Sequence, residues 1–474
     1  MDPMTRRGHC VSRTTMQLIA PGGPPRQRQG ARPAGRVRPG FAANHPRSRA
    51  APRCRAACAE REASMQQLYL GLMAATAIVL LLGLLSRPLK RYGLAAPFLA
   101  LLGGVLLGPQ MLGLLQPDGW GRTQLLLEKA AQLSLAIGLM SVALRLPAGY
   151  IPQHWRSLAV LVGLALPLMC LSAALPLYWL FDLSPLLALL IGAVVCPTDP
   201  IVATSVVTGE IAERDLDEPL RHLISAESGL NDGLALPLVM LPLLLLGLSP
   251  LEAGRQWLVT VVLWEIGGAV LFGLLLGLLA GRLLRLAERM RFIEQPSFMS
   301  YTVALSLLAL AGAELLHTDG VLAVFVAGLA FDQMVGGKER AEEERVQAAM
   351  DQFFTLPIFM LLGVVLPWAE WLALGWPAVA LVLAVLLLRR LPALLVLRPL
   401  LPALQRRRDL LFAGWFGPIG IAALLYASLA SERSGEPLVW QLGSLLICAS
   451  VVAHGLTATP FTRLYGYCRR ASRE

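Results

Sequence analysis

From Met65 onward the chain is cut into apolar runs of about twenty residues joined by short polar connections, and this repeat fixes the fold class. Unpaired backbone groups cannot face lipid, so runs of this length must be helices; no alternating apolar and polar pattern of the barrel type is present. With hydrophobic residues at 56% of 474 positions, the chain reads as an all-α polytopic membrane protein. Spans are expected near 67–86, 95–115, 126–146, 158–181, 184–207, 222–247, 257–280, 298–316, 318–332, 351–370, 377–401, 409–430 and 437–461. That is about 13 transmembrane helices, within a membrane domain over 65–462.

Charge gives the orientation. Connections after odd spans carry Arg87, Lys90 and Arg91, then Arg156, Arg214 and Arg221, the group Arg282, Arg285, Arg289 and Arg291, then Lys338, Arg340 and Arg345, and finally Arg406 to Arg408. Connections after even spans hold single arginines such as Arg122, Arg255 and Arg433, so the odd connections and the short basic tail, 463–474, are expected to be cytoplasmic. The net charge of +10 carries no nucleic-acid signal. Residues 1–64 hold 13 arginines and 3 acids, a local excess of 13 − 3 = +10, and the rest of the chain is balanced. Rich in Arg and Pro and without an apolar core, 1–64 is expected to be a disordered leader, no secretory signal, and non-native ahead of a functional start at Met65. An outward-facing N-terminus of the first span would also leave this basic segment on the wrong side.

Asp232 stands about ten residues into the run from His222 to Gly247, roughly 15 Å along the helix axis and so near the middle of a span. Glu227, Ser228, Asn231 and Asp232 follow at helical spacings that put them on one face, while Ile224, Leu230 and Leu234 cover much of the rest. A carboxylate at that depth marks an ion or proton pathway. In the fifth span, Cys196-Pro197-Thr198-Asp199-Pro200 interrupts the helix. Two prolines three apart remove donors, Pro200 pushes Asp199 out of helical conformation, and Asp199 is placed to cap a second half-helix. Gly414-Trp415-Phe416-Gly417-Pro418-Ile419-Gly420 breaks the twelfth span. Spans five and twelve are seven apart, so equivalent helices run in opposite directions. Two inverted six-helix repeats are therefore expected, spans one to six and eight to thirteen, with their broken helices crossing at the midplane.

These stretches resemble the sodium/proton exchanger branch of the monovalent cation:proton antiporters. The resemblance is carried by Pro197-Thr198-Asp199-Pro200 with Ile201-Val202-Ala203-Thr204, by Ser225-Ala226-Glu227-Ser228-Gly229-Leu230-Asn231-Asp232-Gly233, by Gly320 to Gly328 and by the break of span twelve. It implies a secondary active antiporter in which Asp232 binds a cation and a proton in turn. Asn231 is its partner, and Thr198, Ser228 and Asp199 lie at or beside the ion. Asp232, Thr198 and Ser228 would ligate the alkali cation, and Asn rather than a second Asp before Asp232 implies one-for-one, electroneutral exchange. Glu227 matches a glutamate that pairs with arginine, for which Arg390 is the local candidate. A homodimer in a bacterial inner membrane, exchanging Na+ or K+ for H+ in pH homeostasis without any cofactor, completes the expectation.

One departure stands out. Many relatives carry arginine where this chain has Ile419, which puts the Glu227 pairing in question; Arg389 and Arg398 are the candidates to replace it. Competing readings are a passive cation channel, for which no repeated filter loop is present, and a transport-inactive regulatory relative. An intramembrane hydrolase lacks its motifs: no Gly-x-Ser-x-Gly, paired catalytic Asp or His-Glu-x-x-His occurs, so no enzyme is expected. Cys54 and Cys58 lack a second pair for zinc, and Cys170, Cys196, Cys448 and Cys468 read as packing residues. Glu265, Glu314 and Asp351 read as interfacial contacts, His317 and His454 as hydrogen-bonded structural groups, and Lys338 to Arg345 as a solvated loop.

Overall fold

The computed structural model describes residues 50–471 apart from 87, 90–92, 121, 201, 204–206, 293–297 and 336–339. Residues 1–49 of the leader, and Arg87, Lys90, Arg91, Ile201, Thr204 and Lys338, lie outside the described residues. Two units divide the chain, Met1–Arg55 and Ala56–Glu474, and the second holds the apolar helices. Every regular element among the described residues is helical.

Helix α1 (Ala50–Leu84) opens the series and starts fifteen residues before Met65, because no Pro or Gly interrupts Arg53 to Leu70. It is followed by α2 (Ala96–Leu107), α3 (Thr123–Arg145), α4 (Trp155–Phe181) and α5 (Pro185–Val194). Next come α6 (Glu218–Gly247), α7 (Pro250–Arg289), α8 (Phe298–Leu315), α9 (Gly320–Val335) and α10 (Arg340–Val364). The chain ends with α11 (Trp376–Leu388), α12 (Leu391–Leu397), α13 (Arg407–Trp415), α14 (Ile421–Ser434) and α15 (Pro437–Ala471). Among the described residues, seven stretches are long and apolar enough to cross a membrane and five shorter helices are also apolar. The outer faces stay apolar: Leu72, Leu80, Leu84, Leu271, Leu275 and Leu383 are all exposed, as in a protein whose solvent is lipid.

Three helices differ from the sequence expectation. Arg340–Arg345 is not a loop but the first turns of α10, since Arg340-Ala341-Glu342-Glu343-Glu344-Arg345 is made of strong helix formers. The run 377–401 is divided at Arg389 and Arg390, just before Pro392, into α11 and α12. The α6 helix is kinked at Ala235, between Leu234 and Leu236.

Small residues bring the helices close. Gly273, Gly277 and Gly281 of α7 lie against Ala323, Ala327 and Met334 of α9, with no room for a Cβ at any of the three. Gly229 and Gly233 of α6 meet Phe325 and Leu322 of α9 in the same way. As the α6 number rises the α9 number falls, so the two helices are antiparallel and Asp232 is pressed against α9 near Leu322.

Candidate functional site

Both broken spans are present, and they meet. Helix α5 ends at Val194, residues 195–200 leave helical geometry, and turns resume with Ala203 N–H donating to Asp199 O (3.2 Å). Helix α13 ends at Trp415 and α14 begins only at Ile421. At the crossing, Asp199 N–H donates to Pro418 O (2.8 Å). The Asp199 carboxylate accepts from Val202 N–H through Oδ1 (3.1 Å) and from Ile421 N–H through Oδ2, so one side chain caps the two helix starts on either side of the crossing. Gly420 has to be glycine because Asp199 Oδ2 occupies the place of a Cβ.

The opposite ends leave carbonyls without helix donors, and a buried guanidinium collects them. Arg389 Nη1 donates to Val195 O (2.9 Å), Cys196 O (2.8 Å) and Pro197 O (3.3 Å), and Nη2 donates to Gly417 O. Arg389 therefore supplies a positive group at the crossing although Ile419 itself is apolar and fully buried. Arg398 lies elsewhere, donating to Gln405 O (2.6 Å). A second network closes the break from α15. Ile419 N–H donates to Ser450 Oγ (2.7 Å), Ser450 Oγ lies 3.1 Å from His454 Nδ1, and His454 Nε2 lies 2.9 Å from Trp415 O. His454 is thus bound into the break as a structural group.

Beside the crossing, α6 presents the acidic face. Thr198 N–H donates to Asn231 Oδ1 (3.2 Å), Asn231 Nδ2 donates to Thr198 Oγ1 (2.8 Å), and the Thr198 and Ser228 hydroxyls share a hydrogen bond (3.0 Å). Asn231 is therefore the clamp that fixes α6 to the first break. Glu227 and Arg390 form a two-pronged ion pair, Nη1 to Oε1 at 2.6 Å and Nη2 to Oε2 at 2.7 Å, with both side chains only 4% exposed. Arg390 Nε also donates to Ala413 O (2.7 Å), tying α13 to the pair.

Asp232 differs from all of these. It is fully buried, and neither carboxylate oxygen accepts a hydrogen bond from any described residue. A buried carboxylate with two unused oxygens is costly unless a proton or cation takes them. The backbone beside it is opened as well: the Tyr426 hydroxyl donates to Asp232 O, the carbonyl that the helix would otherwise offer to Leu236 N–H, so it is inserted at that bond. This insertion, with Pro237 following, accounts for the kink at Ala235.

Arg389 was named in the sequence only as a substitute cation; its contact with four carbonyls, and the roles of Tyr426 and Ser450, were not legible. A buried tyrosine hydroxyl and serine in apolar spans were the available signals.

A lipid-facing helix bundle in which two broken helices cross beside a buried, unpartnered carboxylate has the architecture of an ion-coupled secondary transporter. The family described as "Sodium/hydrogen exchanger, transmembrane" matches residues 75–464, and the chain belongs to it. It is 32% identical over 387 residues to Na(+)/H(+) antiporter 2 of Zygosaccharomyces rouxii, covering 74% of this chain and 47% of that protein. It is 25% identical over 391 residues to the K(+)/H(+) antiporter NhaP2 of Shewanella sp. (strain MR-4), covering 80% of this chain and 64% of that one. The chain thus spans about half the length of the yeast relative. Among solved structures, the sodium proton antiporter MjNhaP1 from Methanocaldococcus jannaschii superposes with a TM-score of 0.65 at 17% identity, over 84% of this chain and 98% of that one. At that identity the likeness is one of fold.

Proposed function

We propose that this protein exchanges a monovalent cation, sodium or potassium, for protons, and that both compete for Asp232. The observation that carries it is the Asp232 carboxylate, buried without a hydrogen-bond donor among the described residues and one helical turn from Ser228, whose hydroxyl bonds that of Thr198. When ionised, Asp232 ligates a partly dehydrated cation together with Thr198, Ser228 and carbonyls released at the break; when protonated it needs none of them. The bare carboxylate is the one form too costly to carry through lipid, so either load crosses and the empty site does not. One carboxylate gives one-for-one, electroneutral exchange, and Asn231, engaged with Thr198, holds the frame rather than a second charge. The family membership supports the class of reaction, and similar proteins include both Na(+)/H(+) and K(+)/H(+) antiporters.

The same proposal includes thirteen spans in two inverted six-helix repeats, with one helical core rocking against a dimerising remainder. It places the protein in a bacterial inner membrane with its basic tail in the cytoplasm. The test is reconstitution into vesicles with a trapped pH dye, an imposed pH gradient and the membrane potential clamped at zero. Sodium or potassium should collapse the gradient with the wild type and not with Asp232→Asn, although the variant folds; exchange retained by the variant would sink the assignment.

A further inference from the structure

Asp319 lies in the turn between α8 and α9 and is buried, with 8% exposure. Its Oδ1 accepts from Val321 N–H (2.8 Å) and Leu322 N–H (3.0 Å), which is all that capping α9 requires. The other oxygen, Oδ2, is buried and has no hydrogen-bond partner among the described residues. Serine, threonine or asparagine would cap α9 without stranding a charge, so the cap alone does not account for an aspartate here.

Its position is informative. Leu322 packs on Gly233, and α6 and α9 are antiparallel, so Asp319, three residues before Leu322, stands about one helical turn (roughly 5 Å) beyond Asp232 in the direction of Gly247. The two carboxylates are both buried, at the contact of α6 with α9, and the buried Tyr426 hydroxyl donates to Asp232 O. Further acids gather around Asp319. Glu265 O accepts from Asp319 N–H (3.0 Å), in a π-helical stretch of α7 (Trp257–Ile266). On α8, Glu314 Oε1 would be 3.5 Å from a Cβ placed on Gly320, the residue next to Asp319. The opposing groups are few: Gln132 of α3 donates to Glu314 (2.9 Å), Lys129 is occupied by Glu128 (3.0 Å), and Arg433 of α14 acts on Glu265.

We propose that Asp319 Oδ2, flanked by Glu265 and Glu314, forms a second monovalent-cation site, a staging position one turn from Asp232 on the side of the molecule that holds the α8–α9 turn. A sodium or potassium ion arriving there keeps part of its water, is held by Asp319 and passes inward to Asp232 as the proton leaves. Because it takes Asp232 as the exchange carboxylate, the inference rests on the activity proposed above.

The test uses the full chain in vesicles of one orientation, with sodium or potassium added to either face, and compares wild type with Asp319→Asn and Asp319→Ser; serine preserves the helix cap if asparagine disturbs folding. The half-saturating cation concentration should rise about five- to ten-fold on one face only, and by more than any fall in the saturating rate. A second readout is independent of transport. Cation-dependent protection against thermal unfolding should persist in part in Asp232→Asn and vanish in Asp232→Asn combined with Asp319→Ser. Half-saturation unchanged on both faces, or changed equally on both, overturns the site, as does protection that survives in the double variant. If the wild type shows no exchange, the exchange activity fails, while the protection experiment still decides Asp319.

Discussion

Arg389 and Arg390 are adjacent yet do opposite work. Arg390 is matched by Glu227, whereas Arg389 makes no ion pair among the described residues and is solvated by carbonyl oxygens from both breaks. Removing Arg389 frees those carbonyls in a water-poor interior, each costing about 1–3 kcal/mol. Arg389→Leu is therefore expected to lower the detergent unfolding temperature sharply and to abolish exchange. Arg389→Lys, a point charge that cannot fork between two breaks, should retain folding with a reduced rate. The ion pair behaves differently. Glu227→Gln strands a buried guanidinium and should cost about 3–5 kcal/mol, while Glu227→Leu combined with Arg390→Met should recover much of that loss. A double variant that loses as much as the Glu227 and Arg390 single variants added together, measured by thermal unfolding, would mean the pair contributes nothing as a pair. In the sequence, Glu227 and Arg390 were legible because a glutamate in an apolar span demands a cation. The role of Arg389 was not, since three of its four acceptors lie nearly two hundred positions away.

At the scale of elements, the breaks themselves were readable wherever the chain carries proline or glycine. Pro197 with Pro200, and Gly417 with Pro418, cannot continue a helix, and the structure interrupts α5 and separates α13 from α14 at these places. The kink in α6 follows from Tyr426, 194 residues away, and has no such local mark apart from Pro237. Tyr426→Phe should let the Leu236 N–H bond straight back to Asp232 O, straightening α6. The expected result is folded protein with slower exchange and little change in cation half-saturation; an unchanged rate would mean the kink is incidental. Asp199 tests the crossing. Read from sequence it is a simple cap, so that Asp199→Asn should be mild, but its two oxygens serve two helix starts. An asparagine offers one acceptor and turns its amide N–H groups toward the other N–H. Loss of most activity together with a lower unfolding temperature is now the expected outcome, and Asp199→Ala should be no better.

For the whole molecule, the end of the bundle that carries the C-terminus is held by charge as well as by apolar packing. At 35 residues, α15 is about 50 Å long, well beyond the roughly 30 Å hydrocarbon core, so its last turns project past the spans. There Arg470 pairs with Asp215 (2.9 Å), Arg469 with Asp217 (2.9 Å), and Tyr465 donates to Asp409 (2.6 Å). Asp215 also holds Arg214 (2.7 Å), and its side chain fills the space beside Gly466. The hydrogen bond from Arg214, followed by that from Arg470, keeps the Asp215 carboxyl below its ordinary 3.8 against the opposing effect of burial. For Asp217 burial opposes most strongly, yet Arg469 and Tyr465 together still hold it below 3.8. A lowered carboxylate pKa stabilises the folded state above the ordinary value, and this contribution fades as pH falls from 3.8 through the folded value. Replacing Arg469 and Arg470 by alanine should therefore lower the unfolding temperature by a few degrees at pH 7. Added salt should shrink the difference, because Arg470 is 55% exposed, and the difference should shrink as pH falls from 3.8 through the lowered folded values. A deficit that does not diminish as the pH is lowered through this range would place the stabilisation in the arginine stems packed along α15, not in the ion pairs.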